Sequence, residues 1–153
     1  MGGVQEIDVR VTSAATPAAV WALLADGETW PAWSAFDGYR VLEPGPDGGR
    51  LGSTHELAKG KKQRTVETVV ELVAQQRFSY VLVSGLPLDD YRADVDLSPT
   101  PGGGTEIRWH STFRAQRPGT GWFFRLVLTR FIKDTSKDLA RAAEHAAAST
   151  PAT

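Results

Sequence analysis

The chain has 153 residues, 41% hydrophobic and 23% charged, a length and composition that suit one globular domain spanning 1-153. Lys+Arg 17 against Asp+Glu 18 gives a formal net charge of -1, without the positive field of a general nucleic-acid binder. Cysteine is absent, which excludes disulfides, thiolate metal sites, iron–sulfur clusters and cysteine nucleophiles. No apolar run reaches the roughly 18–20 residues that span a bilayer. The start, MGGVQEIDVR, lacks a secretion signal, and Glu6 replaces the Ser or Thr of a myristoylation site. A cytoplasmic protein is expected.

Ile7, Val9 and Val11 alternate with Glu6, Asp8 and Arg10, the period of a strand with one buried face. Thr16 then offers an N-cap and Pro17 a first helical residue, followed by the stripe Val20, Leu23 and Leu24 up to Asp26-Gly27. Trp30 and Trp33 stand three apart, on one side of a short helix expected near Pro31. Arg40-Val41-Leu42 reads as a short strand, and PGPDGG as a loop. From Leu51 the chain reads as an antiparallel meander, with strands expected at 51–57, 64–72, 77–83, 91–97 and 105–114. After Arg117-Pro118-Gly119 the composition is helical to about Ala148, and STPAT is expected to fray. Phe124, Leu128, Phe131, Thr135, Leu139 and Ala142 trace one stripe at helical spacing. The start of this helix, WFFRLVLTRFI, is apolar nearly all round and is expected to be covered on more than one side.

This order predicts an α+β protein: a strand, two short helices, about six more antiparallel strands and one long helix covering the curved sheet. The helix cannot fill such a curve completely, and the gap between them is the natural ligand site.

The pattern VxVxxxxxxVWxLLxD…WPxW, the segment SGLP, GGGTEIRWHSTF and a final helix ending RAAEHA resemble the polyketide cyclase/dehydrase-like branch of the START/birch-pollen-allergen (SRPBCC) superfamily. The likeness covers about residues 4–147. It implies a helix-grip fold, in which a curved antiparallel sheet of about seven strands wraps a long C-terminal helix around an apolar cavity. It also implies no metal and no organic cofactor. Fold alone does not confer an activity.

Strand parity selects the inward side chains. Ile107, Trp109, Ser111 and Phe113 share one face, as do Tyr91, Ala93, Val95 and Leu97, and Phe78, Tyr80 and Leu82. In 64–72 the inward set reads Val66, Thr68, Val70 and Leu72, against Thr65, Glu67 and Glu71 outside. Pairing Leu57 with Arg64 sets His55 opposite Val66 and Ser53 opposite Thr68, all inward; an odd-membered loop would turn Thr54 and Glu56 in instead. Leu51 and Leu57 share a face with His55 and favour the first pairing.

The expected ligand-contacting set is Trp33, Phe36, His55, Val66, Tyr80, Tyr91, Trp109, Ser111, Leu128, Phe131 and Thr135. Each has an ordinary structural alternative, such as a packed aromatic with one satisfied hydrogen bond or a small residue leaving room. Trp30 and Trp33 read either as a plug at one end of the sheet or as a gate beside Phe36. Trp122 and Phe123 read as packing under the 115–121 loop, as a dimer contact, or as a rim for transient contact with a membrane or carrier. The histidines lack metal spacing, and Lys59, Lys61, Lys62 and Arg64 make a basic hairpin tip.

Three functions fit. The first is a binder of a small hydrophobic or aromatic, polyketide- or lipid-like molecule, acting as monomer or homodimer. The second is a cofactor-free cyclase/dehydratase with His55 as acid or base and Tyr80 or Tyr91 polarising a carbonyl. The third is a protein-interaction module. Parity puts no Asp, Glu or Arg on the cavity face, which counts against the enzyme.

Overall fold

The computed structural model describes residues 3–149. Its elements are β1 (Gln5–Ser13), α1 (Pro17–Leu24), a 3-10 turn (Gly27–Thr29), α2 (Trp30–Trp33), β2 (Gly38–Glu43), β3 (Thr54–Lys59), β4 (Gln63–Val73), β5 (Arg77–Ser84), β6 (Leu88–Pro99), β7 (Thr105–Ala115) and α3 (Gly121–Ser149). The strands form one antiparallel sheet in the order β1-β7-β6-β5-β4-β3-β2. Each strand pairs with its sequence neighbour except β1, which crosses beyond the two short helices to pair with β7. This is the helix-grip α+β arrangement. The expected fraying of the tail concerns, from Thr150 onward, positions outside the described residues.

Local chemistry sets these boundaries. Thr16 Oγ1 accepts the Ala19 amide at 3.2 Å, and Pro17 occupies the first turn of α1. Val20 and Leu24 are the buried residues of α1. The Ser13 hydroxyl donates to the Ala140 carbonyl at 2.9 Å, pinning the end of β1 to α3. Ile7, Phe78, Ala93, Val95, Ile107, Trp109 and Phe113 supply the sheet side of the core, and Ile132, Leu139 and Ala143 supply the helix side. In SGLP, Gly85 has φ +113°, and an added Cβ would overlap the Arg64 carbonyl, so this turn requires glycine.

Two expectations fail for identifiable reasons. On β4 the inward residues are Thr65, Glu67 and Val69, whereas Val66 and Thr68 are half-buried and Val70 is exposed. The β3–β4 tip is one residue off the expected register: Leu57 lies opposite Thr65 and His55 opposite Glu67. The odd loop turns β4 over and leaves His55 inward. A β-bulge between Val69 and Glu71 then restores the parity of Leu72, which lies opposite Phe78. Parity counted backwards from Leu72 therefore misplaces everything before the bulge. The second failure concerns α3, whose first turns are not covered all round. Trp122, Phe123, Leu126 and Val127 are 58%, 50%, 59% and 49% exposed.

The outer face of the sheet is laced by ion pairs. Arg108 donates Nε to Asp8 at 3.1 Å and Nη2 at 2.9 Å. Arg77 donates Nε to Asp96 at 2.6 Å, and His110 Nε2 lies 2.7 Å from the same carboxylate. The Arg108 hydrogen bond holds Asp8 below the usual carboxylate range. Partial burial alone would raise Asp96, but the hydrogen bonds from Arg77 and His110 outweigh it and hold that carboxyl down too. A lowered folded-state pKa contributes stability above the unfolded value and loses it as pH falls through the folded one. Asp96→Asn should therefore lower the Tm at neutral pH, and the deficit should shrink below about pH 4. Thermal unfolding of both proteins across that range checks this.

Candidate functional site

A cavity of about 180 Å³ lies between the concave face of the sheet and α3. Its floor is aromatic: Tyr80 from β5, Tyr91 from β6, Trp109 from β7 and Trp30 from α2. Phe36, Phe131 and Ile132 form walls, and Thr65 and Thr135 leave the space open as small residues. Leu57, Leu82 and Leu86 add apolar lining, and Lys59, Gln63 and the half-exposed Val127 lie at its edge. A cavity of roughly 150 Å³ takes up benzene, so this one suits a single ring.

The floor is locked. Trp109 Nε1 donates to the Tyr80 hydroxyl at 3.2 Å, and Trp30 Nε1 donates to the Leu24 carbonyl at 3.0 Å. Ring centroids lie 6.4 Å apart for Tyr80–Trp109, 6.3 Å for Tyr80–Tyr91 and 6.2 Å for Trp30–Trp109. Such rings cannot swing in to close the space without breaking these contacts. The Thr135 hydroxyl is occupied at the Phe131 carbonyl, 2.8 Å away, and offers the cavity mainly its small size.

One wall carries charge. Glu67 lines the cavity, and its Oε1 lies 3.1 Å from Nε2 of His55, with the side chains 10% and 2% exposed. His55 sits behind this carboxylate and does not line the cavity; its ring lies 5.2 Å from that of Tyr39. Arg50 reaches the same corner from the β2–β3 connection. Its Nη1 donates to the Tyr39 hydroxyl at 2.9 Å, and its guanidinium carbon stands 5.5 Å from the Tyr39 ring centroid and 5.4 Å from that of Phe78. Gly27 makes room for this pair, since a Cβ there would overlap the Tyr39 ring and Arg50 Nη1. Among the described residues, His55 Nδ1 and Arg50 Nε and Nη2 are buried and make no hydrogen bond within the protein. The structure thus overturns the expectation of an uncharged cavity face: Glu67 is on it, and Arg50 lies behind.

Of the expected contact residues, Phe36, Tyr80, Tyr91, Trp109, Phe131 and Thr135 line the cavity. The others do not. Val66 points to the opposite face of β4, because of the register described above. Trp33 donates to Thr29 Oγ1 at 3.1 Å and borders an open surface groove with Leu23 and Arg141. Ser111 is buried in the floor, and Leu128 is half-buried against the core. Glu67, Thr65, Lys59 and Gln63 were missed together, all through the β3–β4 register. The available signal was the short tip Gly60-Lys61-Lys62 between Lys59 and its partner Gln63.

The family model described as polyketide cyclase / dehydrase and lipid transport matches residues 4–146. The chain belongs to that family. Members typically bind hydrophobic ligands, in keeping with the cavity found here. Solved structures share the fold of this family member. A START superfamily protein from Mycobacterium smegmatis has TM-score 0.79 at 16% identity, over 94% of this chain and 99% of its own. A protein from Thermobifida fusca gives 0.77 at 20%, over 92% and 93%. Norcoclaurine synthase from Thalictrum flavum, solved with dopamine and hydroxybenzaldehyde, gives 0.74 at 13%, over 94% and 88%. At such identities the likeness speaks for the fold alone. No curated protein matches the chain.

The cavity also sets the alkaline limit of stability. Burial pushes the Tyr91 hydroxyl up to about 12 and Tyr80 well above its ordinary value, and burial raises Tyr39 as well. These are all three tyrosines of the chain. A raised folded-state pKa contributes stability that is complete below the unfolded value, about 10, and lost as pH rises through the folded one. Tyrosinate absorbance should therefore lag behind free tyrosine and rise together with loss of the tertiary circular-dichroism signal. A rise near the free value in intact protein would show open tyrosines.

Proposed function

We propose that the protein binds a small one-ring apolar molecule in the cavity between its sheet and α3, oriented by a polar edge on the ring. The observation that carries this reading is the aromatic-floored space with one carboxylate on its wall. Apolar burial supplies affinity at roughly 25 cal/mol per Å². The polar groups supply orientation, since a donor on the ligand meets Glu67 and an acceptor meets a tyrosine hydroxyl. The size favours one ring over the multi-ring or long-chain ligands that the family description brings to mind. A fused polyketide would require displacement of the locked aromatic floor.

Isothermal titration calorimetry tests the reading. Phenol should bind saturably, and anisole, which lacks the donor, about tenfold more weakly, the worth of one hydrogen bond. Glu67→Gln should narrow that gap. Thr135→Phe, which fills the cavity from α3, should abolish binding of both while the protein stays folded. Equal binding by the filled variant would place the ligand elsewhere.

A second reading, a cofactor-free enzyme, is favoured by the same carboxylate. Its candidate set changes from the one expected from parity, because His55 stands behind Glu67 and is not itself at the cavity surface.

A further inference from the structure

We infer that Glu67 is a general base for proton transfer on a one-ring carbonyl compound, with Tyr91 as the donor that holds the carbonyl oxygen, Tyr80 as the residue that positions that phenol and His55 as the residue that positions the base. The inference rests on the one-ring ligand reading above and adds chemistry to it.

Glu67 Oε1 is engaged by His55 Nε2 at 3.1 Å, and the residue lines the cavity, so Oε2 is the oxygen left for a ligand. One held oxygen fixes the plane of the carboxylate, and the other keeps its lone pairs for a proton. Tyr80 accepts the Trp109 indole N–H and donates its own O–H to the Tyr91 hydroxyl, which leaves the Tyr91 O–H as the donor for a ligand. Tyr91 lines the same floor on the adjacent strand. Burial keeps both phenols protonated far above neutral pH, so Tyr91 meets the ligand as a donor and not as an anion.

These groups also have the required relation in space. Glu67 lies opposite Leu82 on β5, Tyr80 is two residues further along the same face of that strand, and Tyr91 follows on β6. Acceptor and donors thus line one band of the concave sheet, with α3 closing the other side. Burial of Glu67, Tyr80 and Tyr91 strengthens both interactions by lowering the local dielectric.

The chemistry that fits is allylic isomerisation of a β,γ-unsaturated cyclic ketone. Glu67 Oε2 takes a proton from the α-carbon, and the C–H electron pair forms the new double bond of a dienolate. The negative charge on oxygen is held by the Tyr91 hydroxyl, which the Tyr80 O–H polarises. The protonated carboxyl then returns its proton to the γ-carbon, giving the conjugated ketone. One C–H bond breaks and another forms, with no oxidant, reductant or second substrate. A carboxylate base paired with phenolic donors in an apolar pocket is chemically sufficient for such a step.

The test uses the one-ring β,γ-cyclohexenone, whose conjugated product is followed by its ultraviolet absorbance, with binding measured in parallel by tryptophan fluorescence. Wild-type protein should accelerate the conversion saturably, and Glu67→Gln, which keeps the shape of the pair, should lower turnover by at least ~100-fold with binding retained. His55→Leu should lower kcat about tenfold with KM held, and His55→Gln, which restores an N–H donor, should recover it. Should Glu67→Gln fold poorly, Glu67→Asp serves: it should retain binding with turnover reduced. Binding without acceleration by the wild type, or unchanged turnover in Glu67→Gln, would overturn the catalytic inference and leave the ligand reading standing. No binding by the wild type would overturn both.

Discussion

A carboxylate removed from water must be held by a donor or lose its charge, and in this protein the donor is a histidine directly across the strand pair. His55 and Glu67 occupy opposed positions on β3 and β4. The interaction that satisfies the charge therefore also fixes the hairpin's register. A shift of one residue would send Glu67 to the outer face and leave His55 facing an apolar partner. Removing one member of a buried pair costs about 3–5 kcal/mol, because the other is left uncompensated. The nearby Arg50, lodged between Tyr39 and Phe78, adds positive charge to the same corner. One oxygen of Glu67 is spent on this scaffold, and the chemistry of the cavity depends on the other.

The cavity persists because its walls are tied to something else. Interiors normally close-pack, and a gap costs the contacts its lining would otherwise make. Here the indoles of Trp30 and Trp109 are committed to hydrogen bonds with the Leu24 carbonyl and Tyr80. Thr65 and Thr135, which also line the space, are too short to fill it. The small volume is thus a consequence of large rings held rigidly apart.

Much of this was legible from residue order. Alternation along β6 and β7 placed Tyr91, Ala93, Val95, Ile107, Trp109 and Phe113 inward, and all are buried. Those strands are long and regular where the alternation was read. β4 was not legible in the same way. Its run of Val66, Val69, Val70 and Val73 offers apolar residues on both faces, and the bulge at Val69–Glu71 changes parity midway. A glutamate on a strand reads as solvent-facing unless its partner is known, and that partner came from a neighbouring strand through a three-dimensional register. The apolar turn at the start of α3 misled differently: Trp122, Phe123 and Leu126 suggested cover on several sides, yet they are exposed.

The indole N–H resonances report directly on a single-ring binding space beside Glu67. The five tryptophans stand at 21, 30, 33, 109 and 122, and two of them, Trp30 and Trp109, line the cavity. On titration with phenol, the account predicts saturable shifts concentrated in those two signals. Shifts confined to Trp33 or Trp122, or no saturable shift at all, would contradict it.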